Sequence, residues 1–410
     1  VDLDQLAALR TPEGSAALAA AARVAGGDPL AAAAALRTAG IPGGLAAAAL
    51  TQAELRRRAA GKFGPAAAGM FLTRPGLEQA TRRTVAERRA ARLRAAGVTT
   101  LADLGCGLGA DALAAARAGI RVYAVEADPV TAAMAAANAE AAGLADLVTV
   151  ECGDATAFDV GRVDGAFCDP ARRRAGTGRR IFDPNAYSPP WDFVVGLAAR
   201  VPRTVVKVAP GLDHALIPAD AEAEWVSVDG DLVEAALWCG PLAEVPRRAT
   251  LLREKEGPPV NASGSGGAPS YHLTGSGAVD AAVGPVRRFL YDPDPAVVRA
   301  HLVAELAADL DATLADPSIA YLYADAPRPT PFARCLEVTD VLPFSLKRLR
   351  ALLRGRRVGR VEILKRGSAL EPEKLRRDLR LAGDAAASLV LTRVAGAPTV
   401  LICHPVPAAG

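Results

Sequence analysis

The stretch Asp103–Asp111 reads DLGCGLGAD, and the reading of the whole chain starts from it. It follows the apolar run VTTLADL and opens an Ala-rich segment, a pattern that predicts strand, tight turn and helix in that order. Glycines at 105, 107 and 109 let the backbone take angles that a side chain forbids and let it approach a ligand closely. The N–H groups at the start of the following helix suit a carboxylate or a phosphate. Taken alone, these glycines leave alternatives open. Gly105, Gly107 and Ala110 also satisfy the looser dinucleotide fingerprint GxGxx(G/A) with Glu126 as its ribose acid, and a plain tight turn needs no ligand at all.

Working outward, short apolar runs alternate with helical patterns: VTTLADLG, IRVYAVE, LVTVEC, VDGAFCD and TVVKVAP. Continuous apolar runs are the signature of buried parallel strands, which need crossover connections. Five at this rhythm predict an α/β fold with a doubly wound, Rossmann-like sheet. EWVSV, LVEAALWC and RRATLLRE follow closely enough to be antiparallel strands at one edge. Glu126 closes the second run, where a carboxylate can accept hydrogen bonds from both hydroxyls of a ribose. Gly153 and Asp154 follow the third run, and Asp169–Pro170 follows the fourth.

This series resembles the class I S-adenosylmethionine-dependent methyltransferases from Leu101 to about Arg253. The resemblance implies a cofactor site in which Asp103 and the turn Gly105, Cys106, Gly107 and Gly109 hold the methionine end, Glu126 holds ribose and Asp154 meets adenine. It also implies that Asp169 and Pro170 form the catalytic end, where methyltransferases of amino groups on planar rings often carry (Asp/Asn/Ser)-Pro-Pro-aromatic. Here Ala171 and Arg172 replace the last two residues of that motif. Ser188-Pro189-Pro190-Trp191 spells the missing motif nearly twenty residues later. Ser188 as a helix cap explains it without chemistry; alternatively, the loop folds back and Trp191 supplies the ring. Arg172, Arg173 and Arg174 leave the fourth run where substrate approaches, as surface cations or as ligands of an anionic substrate. Cys168 precedes Asp169 on an alternating strand and faces away from it, so a nitrogen or oxygen target is favoured over carbon methylation through a cysteine adduct.

Residues 1–95 read as helices throughout, as an amino-terminal domain. Its last segment, Leu77 to Ala95, carries Arg82, Arg83, Arg88, Arg89, Arg92 and Arg94, either a solvated face or an RNA-facing one. The methyltransferase domain is expected over 96–256 and a Gly/Ser/Pro-rich linker over 257–285. A small α+β domain is expected over 286–410, with FLYDPDPAVVRAHLVAEL as a helix near its start.

KFGPAAAGMFLTRPGLEQATRRTVAERRAARL and GRVEILKRGSALEPEKLRRDLRLAG…SLVLTRVAG resemble a bacterial family of methyltransferases with a carboxyl-terminal THUMP-like domain. THUMP domains are associated with RNA-modifying enzymes, so the resemblance implies RNA (tRNA or rRNA) as substrate. The basic run Lys347 to Arg360, KRLRALLRGRRVGR, reads as a phosphate-binding strip or as a solvated helix ending at Gly355. In the amino-terminal stretch, Gln79 and Thr81 sit where related enzymes close over the cofactor, though Thr81 also reads as a helix cap.

Composition bounds the rest. A net charge of +3 over 410 residues says nothing about a nucleic-acid partner. The six cysteines form no CxxC pair and the four histidines do not cluster with them, so no metal is expected and a reducing compartment fits. Stretches such as Leu30–Leu36 are too short and interrupted to span a bilayer. The expectation is a cytoplasmic methyltransferase acting on an RNA nitrogen or oxygen. The alternatives are a methyltransferase of small molecules or proteins, and a non-catalytic RNA-binding protein on the cofactor fold.

Overall fold

The computed structural model describes residues 1–170, 188–254 and 269–406. The chain forms two compact units, Val1–Val208 with Ala236–Glu244, and Ala209–Ala235 with Val245–Gly410. These units follow packing and not sequence texture.

The first unit begins with helices α1 (Leu3–Leu9), α2 (Pro12–Val24), α3 (Pro29–Thr38), α4 (Gly43–Phe63), α5 (Arg74–Gln79) and α6 (Arg83–Ala95). Their starts are written locally: Asp2 and Gln5 form a capping box, and Thr11 and Asp28 each cap a helix with Pro in its first turn. Leu6, Leu9, Leu36, Phe63 and Leu72 pack into one core with Leu108 of the Gly-rich turn. The arginines of α6 are not a single solvated face. Arg89 is buried and paired with Asp111, and Arg92 donates to the Leu242 carbonyl at 2.6 Å with its guanidinium 4.0 Å from the Trp238 ring centre. Burial of these cations anchors the helix to the sheet layer beneath it.

The α/β part follows as β1 (Thr100–Leu104), α7 (Ala110–Arg117), β2 (Arg121–Glu126), α8 (Pro129–Ala141), β3 (Val148–Cys152), β4 (Gly165–Cys168), α9 (Trp191–Arg200) and β5 (Thr204–Val208). All five sequence runs are strands. They pair in parallel in the order β3-β2-β1-β4-β5, with Leu104 opposite both Val125 and Cys168. The order reverses at β1, so the crevice between the carboxyl ends of β1 and β4 is where such sheets bind ligands.

The second unit holds β6 (Glu222–Val228), the first part of β7 (Asp231–Trp238), β8 (Arg247–Leu252) and β9 (Ser270–Gly275), in the order β7-β6-β8-β9. Asp229 and Gly230, at φ +50° and +90°, turn the chain back from β6 into β7. The expectation of an antiparallel edge is corrected for β6 and β8, which are parallel. The chain passes β6 on one side as β7 and returns on the other as β8, so it must run in the original direction. The linker expected at 257–285 is also corrected, because Ser270–Gly275 pairs with β8. Leu273 alone is buried there, so no apolar run marked a strand.

A second sheet follows, built from β10 (Phe289–Pro293), β11 (Thr313–Leu314), β12 (Leu322–Ala324), β13 (Ala333–Pro343), β14 (Val358–Lys365), β15 (Ala385–Val394) and β16 (Ala397–Pro405), with helices α10 (Pro295–Arg299), α11 (Val303–Leu310), α12 (Leu346–Gly355) and α13 (Pro372–Leu379). FLYDP, expected as helix, is β10 paired to β12 and β13, and His301 at φ +59° separates α10 from α11. The strand order is β11-β12-β10-β13-β16-β15-β14. Leu349 and Leu353 of α12 and Leu375 and Leu379 of α13 cover one face over Leu389 and Leu391, while Val390 packs on the other with Tyr321 and Leu336. Alternation along β15 thus buries both faces.

Candidate active site

The Gly-rich turn is held from below and open above. Gly105 and Cys106 both donate to the Val125 carbonyl at 3.0 Å, fastening the turn to β2. Gly105, Gly107 and Gly109 have φ of +87°, +55° and +82°. A methyl group on Gly105 would lie 2.9 Å from the Asp169 carbonyl oxygen, whereas one on Gly107 would meet nothing within 4 Å. Gly105 is therefore demanded by packing and Gly107 faces free space. Cys106 is buried.

Glu126 is already oriented. Its Oε2 accepts from the Gly107 N–H and its Oε1 from the Asp128 N–H, both at 2.9 Å. Asp154 is exposed two residues beyond β3, and its Oδ1 accepts from the N–H and hydroxyl of Thr156, both at 2.8 Å, which hold its carboxyl below the usual range. Asp103 differs: it is wholly buried, and neither carboxyl oxygen has a hydrogen-bond partner. Burial, with Asp111 and Asp169 nearby, pushes its pKa well up against the opposing pull of Arg89 and Lys207. An orphaned acid beneath an open glycine turn, beside an oriented Glu126, fits a ligand that brings its own cationic and hydroxyl groups.

At the expected catalytic end, Asp169 follows β4 and its N–H donates to the Leu104 carbonyl at 3.2 Å. Lys207 reaches it from β5, with Nζ 2.7 Å from Asp169 Oδ2 and 3.0 Å from Thr81 Oγ1. The Lys207 side chain is 6% exposed and that of Asp169 25%. Sequence reasoning passed over Lys207. The signal was a lone cation inside the buried run TVVKV, which requires a partner at the strand end. Thr81 does not cap α6; its hydroxyl belongs to this cluster instead. Gln79 ends α5, exposed. Lys62 of α4 donates to the Leu77 and Glu78 carbonyls at 2.7 and 3.2 Å, and burial together with the charge of Lys207 lowers its pKa to about 8.

Pro170 is buried beside Asp169. Arg172, Arg173 and Arg174 lie outside the described residues. Trp191 is the first residue of α9 and 7% exposed, so its ring is packed in the core and presents no stacking face. Ser188 does not cap that helix: Pro190 occupies the cap position, without a side-chain hydrogen bond. Burial pushes the Cys168 and Cys106 thiols up, away from the nucleophilic thiolate.

Comparison with known proteins decides the family. The chain is 35% identical over 371 residues to two proteins of Mycobacterium tuberculosis, from strains CDC 1551 / Oshkosh and ATCC 25618 / H37Rv, each described as an uncharacterized S-adenosylmethionine-dependent methyltransferase; the match spans 86% of this chain and 95% of each relative. The chain belongs to the S-adenosylmethionine-dependent methyltransferases. Within this methyltransferase, residues 102–171 match a methyltransferase domain model, 333–405 a THUMP domain-like model and 2–59 a domain of unknown function. The fold is shared with a protein from Porphyromonas gingivalis W83 described as a candidate methyltransferase, at a TM-score of 0.72 and 20% identity, covering 99% of this chain and all of that one. The cofactor of this chain is S-adenosylmethionine. No described helix is long and apolar enough to cross a membrane, and no group of three or more potential metal ligands occurs among the described residues.

Proposed function

We propose that this methyltransferase methylates a nitrogen of RNA (tRNA or rRNA), with the catalytic end at Asp169 and the nucleic acid held by the THUMP-like part of the chain. The observation that carries the substrate class is the charge on α12 and its neighbours. Of the basic residues between 347 and 360, Arg350 donates to the Asp378 carbonyl, and Arg356 and Arg357 pair with Asp340 and Asp384. Lys347, Arg348, Arg354 and Arg360 are exposed and have no carboxylate partner among the described residues. Leu349 and Leu353 point into the core, so the remaining cations of α12 face solvent from a rigid helix. Unspent guanidinium and ammonium groups on one face are what a phosphate backbone requires.

The residues at the rim have distinct tasks. Glu126 takes the ribose hydroxyls, Asp154 the adenine amino group, and the Gly105–Gly109 turn with Asp103 the methionine end. When bound, S-adenosylmethionine supplies a methyl group already activated on a sulfonium, so the chain needs only to align a nucleophile and exclude water. Lys207 occupies Oδ2 of Asp169 and leaves Oδ1 to accept a hydrogen bond from an amino group. That bond orients the nitrogen lone pair toward the methyl carbon. Solvent would take the proton that the nitrogen releases on accepting the methyl group. The protein is read as cytoplasmic, in keeping with six free cysteines.

Incubation with methyl-labelled cofactor and, separately, total RNA, protein and small-molecule fractions from cells lacking the gene tests this reading. Label is expected in RNA, as an N-methylated nucleoside after digestion. Label confined to the protein or small-molecule fraction would overturn it.

A further inference from the structure

A cavity that shares no lining residue with the Asp169, Lys207 and Thr81 cluster lies within the first unit. It is a hollow of about 230 Å³ walled by α4 and the turn after it, α6, α7 and α8. Phe63, Met70 and Leu113 line it with a series of alanines, whose missing side-chain volume leaves it unfilled. Its polar lining is confined to three side chains. Asn138 is fully engaged: Oδ1 accepts from the Phe71 N–H, and Nδ2 donates to the carbonyls of Phe71 and Leu108. The other two are Arg83 and Arg117, both exposed and therefore on the solvent side. Arg83 pairs at the surface with Glu87 at 3.4 Å, too exposed to be held strongly. Arg117 has no carboxylate partner among the described residues.

We propose that this hollow binds a small carboxylate with an apolar body, and that its occupancy is felt at the cofactor turn. The apolar walls offer ordered water few partners, and a cavity of about 150 Å³ holds benzene, so this one has room for roughly nine heavy atoms. The two guanidinium groups at the mouth favour an anion, and the planar fork of Arg matches a carboxylate. The link to the cofactor runs through particular residues. Asn138, in the cavity wall, holds the carbonyl of Leu108 inside the Gly-rich turn, and Ala110, also in the wall, is the first residue of α7 after Gly109. A ligand here presses on the back of the turn whose front faces the cofactor.

Calorimetry on the full chain with octanoate, octan-1-ol and octylammonium tests the proposal. One octanoate is expected per chain, with the alcohol at least tenfold weaker and the ammonium not bound. Replacing both cations (Arg83→Gln with Arg117→Gln) brings octanoate down to the level of the alcohol, while retained affinity for S-adenosylmethionine reports that the variant is folded. Ala114→Leu, which adds carbons to the cavity wall, weakens octanoate and alcohol alike. Equal affinity for acid and alcohol, or no uptake of octanoate by a chain that binds S-adenosylmethionine, overturns the site. Saturating octanoate is expected to change the affinity for S-adenosylmethionine at least threefold, and the reciprocal titration must give the same factor. An unchanged affinity overturns the coupling.

Discussion

The ammonium of Lys207 lies 2.7 Å from Oδ2 of Asp169, and the same nitrogen lies 3.0 Å from the Thr81 hydroxyl. A strand end, its neighbour in the sheet and the segment before α6 thus meet at one nitrogen. The pair engages Oδ2 of Asp169 and, under the proposed function, leaves Oδ1 to the substrate. Lys207→Met is expected to lower turnover about a hundredfold and leave the affinity for S-adenosylmethionine within about threefold, since the charge-assisted bond to the acid is removed while Glu126 and the glycine turn keep their own hydrogen bonds. Lys207→Arg retains part of the activity. In the Asp169→Asn background the Lys207→Met change has little further effect, because the two act as one unit. Additive losses in that double-variant cycle would separate the two residues.

Asp103 makes stability depend on pH in an unusual direction. Its carboxyl is protonated in the folded chain at pH values where the unfolded chain has already lost the proton. The folded state then binds more protons, so stability falls as pH rises from the ordinary carboxylate range toward the raised value, by up to about 1.4 kcal/mol per pH unit. Asp103→Asn removes that slope. Urea unfolding of both proteins between pH 4 and pH 7 checks it, and an identical slope in the variant would refute the assignment.

Two glycines of the turn answer differently to substitution. Gly105→Ala forces a methyl group against the Asp169 carbonyl at a backbone angle of +87°, and is expected to cost about 2–3 kcal/mol of stability and most of the activity. Gly107→Ala meets no atom and costs only the left-handed backbone penalty, about 1–2 kcal/mol. Its methyl group enters the ligand's space, so the cofactor affinity drops more than tenfold while the fold persists. Denaturant unfolding and calorimetry on the two variants separate these effects.

Much of this arrangement was legible in the chain. The strands β1, β4 and β5 are apolar runs buried on both faces, and the candidate acids sit at or just beyond the ends of their runs, where the buried pattern stops. What escaped was set by long-range pairing. Phe289–Pro293 reads as the start of a helix but is a strand because β12 and β13 lie beside it. Ser270–Gly275 carries a single buried residue and looks like linker. Lys207 has no motif; only its partner on the adjacent strand gives it meaning. Trp191 was drawn toward the site by the spelling of a motif, yet its position at the start of α9 places the ring in the core.

The outward face of α12 predicts a salt dependence. Changing Lys347, Arg348 and Arg354 together to Ala is expected to weaken binding of total tRNA without altering the affinity for S-adenosylmethionine. The slope of log K against log salt falls by about two to three units, one for each phosphate no longer neutralised. A slope equal to that of the unmodified protein would remove α12 from the RNA surface.

The rim of β1, β2 and β3 as cofactor site is tested most directly by titrating S-adenosylmethionine into the protein and into Glu126→Ala by calorimetry. The carboxylate holds the Gly107 N–H and is proposed to take the ribose hydroxyls, so its loss is expected to weaken binding at least about thirtyfold, with NAD bound by neither protein. Undiminished affinity in the variant, or tighter binding of NAD than of S-adenosylmethionine, would contradict the account.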